Sequence, residues 1–229
     1  MEHILFLDIE TVSTVETYEQ LSVRMQQLWN KKTKKLKLTE NQTPAQYYKN
    51  AGIYAEFGKV ICISVAYMKN NLLRIKSFHD EDEKKLLQDF ADLLRKYFSK
   101  SHHRLCAHNG KEFDFPYLCR RMLINGISLP AILNVGGLKS WETKFLDTME
   151  LWKFGDYKHY TSLDLLAAVF GIPSPKENID GSMIYEIYWQ NKDYQRIKNY
   201  CERDVLTVAQ LFLRYKGKEL LTEEQILFL

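Results

Sequence analysis

Two carboxylates end the first apolar stretch of the chain. Ile4 to Leu7 is an unbroken apolar run, and Asp8 and Glu10 follow it in the sequence Asp-Ile-Glu-Thr. Such a run predicts a β-strand buried on both faces, and because side chains alternate along a strand, Asp8 and Glu10 project on the same side. Two anions held this closely either raise one of their pKa values or bind a cation, and oxygen ligands suit Mg²⁺ or Mn²⁺. The alternative is a strand that has simply reached solvent.

Two further acids, Asp114 and Asp204, are placed where they could join the first pair. Asp114 stands at a predicted strand-to-helix transition, two residues before a proline, where an aspartate could instead be a helix N-cap. Asp204 lies beside the apolar stripe of the last long helix, one turn after Tyr200. An ion pair with Arg203 or Lys198 is the alternative for Asp204.

The elements that must position these acids follow from residue type and period. Strands are predicted at 4–11, 59–68, 72–78, 104–107 and 144–146, the second and third forming an antiparallel hairpin. Helices are predicted at about 18–30, 80–97 (with Asp80 and Glu83 resembling a capping box), 116–125, from 151, 162–170, 183–189 and 193–216. The predicted fold class is therefore α/β, with a central mixed sheet of about five strands flanked by helices.

The composition favours a single domain that spans residues 1–229, and it excludes a chain that is strongly cationic overall. The chain is 45% hydrophobic and carries 32 basic and 29 acidic residues, a net charge of +3. Nucleic-acid affinity must therefore come from local patches. The run from Lys31 to Lys37 holds five lysines in seven positions, within a polar insertion near 30–58. These lysines could contact phosphates, although a solvated loop or helix end is the favoured interpretation.

The cysteines and the apolar runs bear on cellular location. Cys62, Cys106, Cys119 and Cys201 are widely spaced and form no Cys-x-x-Cys pair, and the first, second and fourth lie within apolar patterns. This arrangement predicts buried thiols in a reducing compartment and neither a disulfide framework nor a zinc site. The N-terminus has no signal-peptide pattern, and no apolar run approaches the roughly 20 residues of a membrane span. We therefore expect a cytoplasmic protein with no membrane partner.

Three ordered motifs resemble those of the DEDD (DnaQ-like) 3′-to-5′ exonucleases. They are Leu-Asp-Ile-Glu-Thr at 7–11, Asn-Gly-Lys-Glu-Phe-Asp-Phe-Pro-Tyr at 109–117 and Tyr-Cys-Glu-Arg-Asp at 200–204. The middle motif is most similar to Asn-x-x-x-Phe-Asp-x-Pro-Tyr of the proofreading exonuclease domain of family B DNA polymerases. Tyr200 indicates the tyrosine subclass, because the histidine subclass would need His where this chain has Asn199. A chain of 229 residues leaves no room for a polymerase domain, so a free-standing relative is expected.

The resemblance implies a ribonuclease H-like fold and a specific reaction. The implied activity is two-metal hydrolysis of single-stranded DNA from its 3′ end, releasing nucleoside 5′-monophosphates with Mg²⁺ or Mn²⁺. Asp8 would bridge both ions, Glu10 and Asp204 would complete the water-activating one, and Asp114 would hold the other. Tyr200 would orient the attacking water.

The resemblance also implies a binding site for the 3′ end of the strand. Thr11, Asn109 and Phe113 would hold this end, Thr11 through the terminal hydroxyl and Phe113 by stacking on a base. A core aromatic is the alternative for Phe113.

Two other functions remain open. An exoribonuclease would use the same acids, and nothing in the sequence identifies a reader of the 2′-hydroxyl. A non-catalytic nucleic-acid-binding module is disfavoured because no acid of the motifs is missing. No motif identifies a protein partner.

Overall fold

A computed structural model describes residues 1–36, 38, 42–156, 160–173 and 179–229. In these ranges the chain forms a six-stranded mixed sheet with the order β5-β4-β1-β2-β3-β6. The strands are β1 Ile4–Ser13, β2 Gly58–Lys69, β3 Leu72–His79, β4 Arg104–Ala107, β5 Leu146–Asp147 and β6 Ile226–Phe228. The α/β prediction is confirmed, with one strand more than expected. That strand, β6, pairs with the edge strand β3 and is too short to show a periodic pattern.

The central strand β1 is buried on both faces, as predicted. Its residues from Leu5 to Leu7 are 0% exposed. It pairs in antiparallel fashion with β2 and in parallel fashion with β4. The β2–β3 hairpin turns at Asn70 and Asn71, whose φ angles of 51° and 61° are left-handed values that asparagine tolerates.

Helices cover both faces of this sheet. They are α1 Val23–Thr33, α2 Pro44–Tyr47, α3 Glu83–Tyr97, α4 Asp114–Ile124, α5 Thr148–Lys153, α6 Leu163–Val169, α7 Ile184–Glu186 and α8 Tyr194–Tyr215. Helices α3 and α4 pack against Leu5 and Leu7, whereas α8 packs against Ile4 and Phe6. None of the helices in the described ranges is long and apolar enough to cross a membrane.

The segment between β1 and β2, residues 18–57, has a hydrophobic interior of its own. Its centre is the fully buried Trp29, whose ring lies 5.0 Å from Phe57 and 5.4 Å from Tyr48, centroid to centroid. The Trp29 indole N–H donates to the Pro44 carbonyl at 2.8 Å. Within the predicted polar insertion near 30–58, Tyr47, Tyr48, Tyr54 and Phe57 contribute to this interior. Lys37 of the lysine run lies outside the described residues.

A buried ion pair joins α3, α4 and β2. Glu83 does not belong to a capping box with Asp80, because Asp82 caps α3 by accepting from the Lys84 amide at 2.9 Å. The Glu83 carboxylate instead accepts from the Val60 amide at 2.7 Å and from Arg121 Nε at 2.9 Å. Both charged side chains are less than a tenth exposed.

Replacing Arg121 with leucine should destabilise the fold strongly. The Glu83 carboxylate would stay buried without its cation, a change that costs about 3–5 kcal/mol. Urea unfolding followed by circular dichroism measures the loss. The matched control is Lys85→Leu, which removes the exposed ion pair with Asp80 and should change the stability far less, because solvent screens such a pair. Equal losses in the two variants would contradict the assigned role of the buried pair.

Candidate active site

The two acids of β1 form one cluster on the face that packs against α8. Carboxylate oxygens of Asp8 and Glu10 and the sulfur of Cys201 all lie within 4.8 Å of one another. Glu10 is only 8% exposed. The strand therefore does not simply end in solvent, and the two acids share a confined space.

A β-bulge follows directly after Glu10. Glu10 is in register with Cys62 but Thr11 with Val60, so that Ile61 is left without a partner in β1. Bulges bend a strand and re-aim its side chains, which is why they recur next to active sites. Beyond the bulge, the Tyr117 hydroxyl donates to the Gly52 carbonyl at 2.7 Å, and the neighbouring Thr11 hydroxyl opposes the rise in the Tyr117 pKa that burial causes.

Helix α8 carries three side chains to this cluster. The Cys201 thiol donates to the carbonyl oxygen and to Oδ2 of Asp8, at 3.4 Å in each case. Tyr200 is 8% exposed and hydrogen-bonds the Asp204 carboxylate. Lys198, an alternative partner for Asp204, instead lies 3.4 Å from Glu202.

Asp114 reaches the site from the first residue of α4. Phe113 occupies the N-cap position and forms no side-chain capping bond, so Asp114 is not the cap. The amide of Ile9, the residue between Asp8 and Glu10, lowers the pKa of the Asp114 carboxyl, so the two groups lie in contact. This contact ties the start of α4 to the acidic end of β1.

The turn that precedes α4 is held by Asp147. Its carboxylate accepts from the amides of Asn109 and Lys111, both at 3.0 Å. The same carboxylate caps α5 through the amides of Met149 and Glu150, as expected for an aspartate at a helix start. Asp147 thus links the middle motif to α5 through backbone bonds.

The middle motif needs its asparagine and glycine for geometric reasons. Asn109 has a φ of 60°. A Cβ at Gly110 would lie 2.4 Å from the Cβ of Ala107, so no other residue fits there. The Asn109 Oδ1 atom is buried and has no hydrogen-bond partner among the described residues. Phe113 is half-buried, with its ring 5.3 Å from that of Tyr117.

Burial and mutual repulsion raise the pKa of every acid whose shift is resolved in the cluster. For both Asp8 and Glu10, burial raises the pKa most and the Asp204 carboxylate comes second. Burial, with the charges of Asp147 and Asp204, raises the pKa of Asp114 to about 7. In the part of the chain that the structure describes, no lysine or arginine forms an ion pair with Asp8 or Glu10. Protons or bound cations are therefore needed to relieve the repulsion among the carboxylates of the cluster.

The donor set fits a hard divalent cation. Asp8, Glu10, Asp114 and Asp204 offer only carboxylate oxygens, the ligands that Mg²⁺ and Mn²⁺ prefer. Asp114 and Asp204 lie outside the 4.8 Å group, yet their charges act on both acids of β1. Burial raises the pKa of the Cys201 thiol, so this group keeps its proton and acts as a hydrogen-bond donor to Asp8.

Comparison with known proteins identifies the family. Residues 53–225 match a family described as a predicted 3′-5′ exonuclease related to the exonuclease domain of PolB. The chain belongs to this family. The matched range contains Asp114, Tyr200 and Asp204, and it begins after β1. The predicted resemblance to the family B exonuclease domain is confirmed, while the roles of individual residues stay predictions.

A solved structure supports the fold. The family B DNA polymerase from the hyperthermophilic archaeon Pyrobaculum calidifontis matches with a TM-score of 0.55 and 17% sequence identity. The match covers 92% of this chain and 24% of the polymerase, so this chain spans about a quarter of that protein's length. The predicted ribonuclease H-like fold is confirmed.

Two residues make contacts at the site that their sequence patterns did not suggest. Cys201 had the pattern of a core thiol, and Asp147 that of a helix cap alone. Cys201 and Asp204 are three residues apart on one helix, and this spacing is the signal that could have placed the thiol beside the acids.

Removing one carboxylate should stabilise the cation-free protein at high pH. The pKa of Asp114 is about 7 in the fold, above its ordinary 3.8, so the native state holds a proton that the unfolded chain has lost, and stability falls as pH rises from about 4 to about 7. In EDTA at pH 8, Asp114→Asn should therefore melt higher than the native chain, by roughly 2–4 °C for each kcal/mol of relieved repulsion. Differential scanning calorimetry at pH 5 and pH 8 measures the effect, which should shrink at pH 5.

The control for this measurement is Asp147→Asn, another buried aspartate. Its carboxylate accepts from four backbone amides, which an amide oxygen alone cannot satisfy. Asp147→Asn should therefore melt lower than the native chain at both pH values. A lower melting temperature for Asp114→Asn at pH 8 would show that repulsion does not dominate at the site.

Proposed function

We propose that this chain is a metal-dependent exonuclease that removes nucleoside 5′-monophosphates from the 3′ end of single-stranded DNA. The observation that carries the proposal is the meeting of Asp8, Glu10, Asp114 and Asp204 from three elements, in a cluster where their charges raise one another's pKa values. Family membership supports the nuclease activity and its direction. We further propose that residues 1–229 act as one catalytic domain.

The four acids would hold two divalent cations, Mg²⁺ or Mn²⁺. Asp8 would contact both ions, Glu10 and Asp204 the one beside the attacking water, and Asp114 the other. When bound, such ions supply an activated water and stabilise the leaving oxygen. The carboxylates would also lose their mutual repulsion on binding, because their charge would be neutralised in place.

Tyr200 would act as a hydrogen-bond donor and not as a base. Burial, followed by the charges of Asp204, Glu10 and Asp8, raises its pKa above the ordinary value of 10. The phenol therefore keeps its proton at neutral pH. In this role it would orient the attacking water next to Asp204.

Thr11, Asn109 and Phe113 would bind the terminal nucleotides. The buried Oδ1 of Asn109 supports this assignment, because an acceptor without a partner among the described residues is costly unless a ligand or water supplies a donor. Thr11 is partly exposed just past the bulge, and Phe113 keeps part of its ring open for stacking.

The substrate and the compartment complete the proposal. DNA is favoured over RNA because the family is related to the exonuclease domain of PolB. The four free cysteines, three of them buried, suit the reducing cytoplasm.

Alanine at Asp8 or at Asp204 should abolish hydrolysis. Each variant would lose several kcal/mol of transition-state stabilisation, which corresponds to a rate at least about 10³-fold lower. The assay uses a 5′-labelled single-stranded DNA of 20 nucleotides with Mg²⁺ or Mn²⁺, resolved on a denaturing gel as a ladder that shortens from the 3′ end. EDTA should prevent the ladder.

The control for this assay is Asp89→Ala, an exposed acid on α3, which should cleave at the native rate. A ladder that survives in Asp8→Ala, or that needs no metal, would overturn the proposed chemistry. An RNA strand of the same sequence is assayed in parallel. Faster cleavage of the RNA would identify RNA as the preferred substrate without contradicting the proposed chemistry.

Tyr200→Phe should lower kcat without moving the pH profile between pH 6 and 9. The phenol stays protonated over this range, so its loss removes a donor and no titrating group. Steady-state rates across the range test this point. A profile whose alkaline limb shifts in the variant would instead indicate that Tyr200 exchanges a proton during the reaction.

A further inference from the structure

The exposed side of α1 carries positive charge that the proposed reaction does not use. Trp29 and Thr33, one helical turn apart, are buried, which defines the inner side of the helix. The opposite side and the turn that follows expose four cations, here called the basic face: Arg24, Lys31, Lys34 and Lys35. A helix of 11 residues is about 16 Å long, so these charges extend over a considerable distance.

The charges of the basic face are not balanced by acids. Within the described ranges no carboxylate forms an ion pair with any of its four residues, whereas Lys32 pairs with Glu56 at 3.8 Å. Lysines near the end of α1 complement the helix dipole, but Arg24 lies in the first turn, which contains no acid and where a cation is unfavourable. Dipole complementarity therefore explains only part of the basic face. The whole chain is close to neutral, at +3.

The basic face belongs to a segment that is attached just beyond the catalytic acids. A Cβ at Gly52 would lie 2.9 Å from the Cα of Val12, which shows how closely the segment approaches β1. The Tyr48 hydroxyl lies 3.3 Å from the Thr14 hydroxyl, and the aromatic contacts of Trp29 fasten α1 to the same segment. Val12 and Thr14 follow Glu10 by two and four residues. The cations are thus carried at the end of the sheet that holds the acids.

We propose that the basic face binds the phosphates of the substrate strand on the 5′ side of the nucleotides in the active site, an inference that rests on the proposed function. Every phosphodiester carries a negative charge, so lysine and arginine can hold the strand whatever its sequence. The acidic cluster repels this polyanion, and a separate cationic surface offsets that repulsion. The basic face lies outside residues 53–225, so the family match does not assign it.

The test variant is Lys31→Gln/Lys34→Gln/Lys35→Gln, which removes three charges and no buried contact. Fluorescence anisotropy with a labelled 20-nucleotide DNA strand in EDTA measures binding without turnover, from 50 to 200 mM KCl. Each lost phosphate contact makes the slope of log K against log salt shallower by roughly 0.7, so the variant's slope should be shallower by roughly 2. Over this range the native chain should lose roughly 20-fold more affinity than the variant.

The matched control is Lys69→Gln/Lys96→Gln/Lys100→Gln. These exposed lysines lie at the opposite end of the sheet, where β1 begins, and their loss changes the net charge equally. This control should keep the native slope. With Mg²⁺, the basic-face variant should show a raised KM on the 20-nucleotide strand, an unchanged kcat, and native kinetics on a trinucleotide.

The two proposals fail in different ways. A native slope in the basic-face variant, an equal change in the control variant, or no strand binding by the native chain would overturn the basic-face proposal. An absence of metal-dependent hydrolysis by the native chain would overturn the proposed function, whatever the binding slopes are.

Discussion

Repulsion among buried carboxylates at the end of β1 is the constraint on which the rest of the structure depends. Burial disfavours the charged form of Asp8 and Glu10, and the charge of Asp204 adds to that cost. An isolated strand could not hold such a cluster together. The apolar residues before it can, because burying each of Leu5, Phe6 and Leu7 contributes about 1.5–3 kcal/mol. The core thus offsets the electrostatic cost of the site.

The acidic side chains of this protein fall into two groups, which differ in how many hydrogen-bond donors surround the carboxylate. Asp147 accepts from four backbone amides, and Glu83 accepts from Arg121 and from the Val60 amide. Glu202, on the same helix as Asp204, accepts from Ser77 at 2.7 Å and fastens α8 to β3. These three acids accept hydrogen bonds from neighbouring elements and hold those elements of the fold together. Asp8 and Glu10 have few donors of this kind, so their charges are left without such compensation.

The segment between β1 and β2 carries the proposed basic face on an interior of its own. Its Trp29-centred interior is separate from the cores on the two faces of the sheet. Because it leaves β1 after Ser13 and returns at Gly58 of β2, the residue in register with Ser13, it stays at the acidic end of the sheet.

The sequence by itself determined β1, its two acids, the α/β class and the family resemblance, because a buried apolar run and short-range alternation are local properties. It also placed Asp114 and Asp204 at element positions from which they could reach β1. Tertiary structure alone decided that Glu83 pairs with Arg121, that Cys201 donates to Asp8, and that aromatic residues of the segment between β1 and β2 enclose Trp29. Each of these contacts joins residues that are distant in sequence. The local pattern of Glu83 was equally compatible with a helix cap, that of Cys201 with a core thiol, and that of the segment with a solvated loop. Long-range packing decided between those alternatives, because it determines which buried polar groups have a hydrogen-bond donor nearby and which remain available to a ligand.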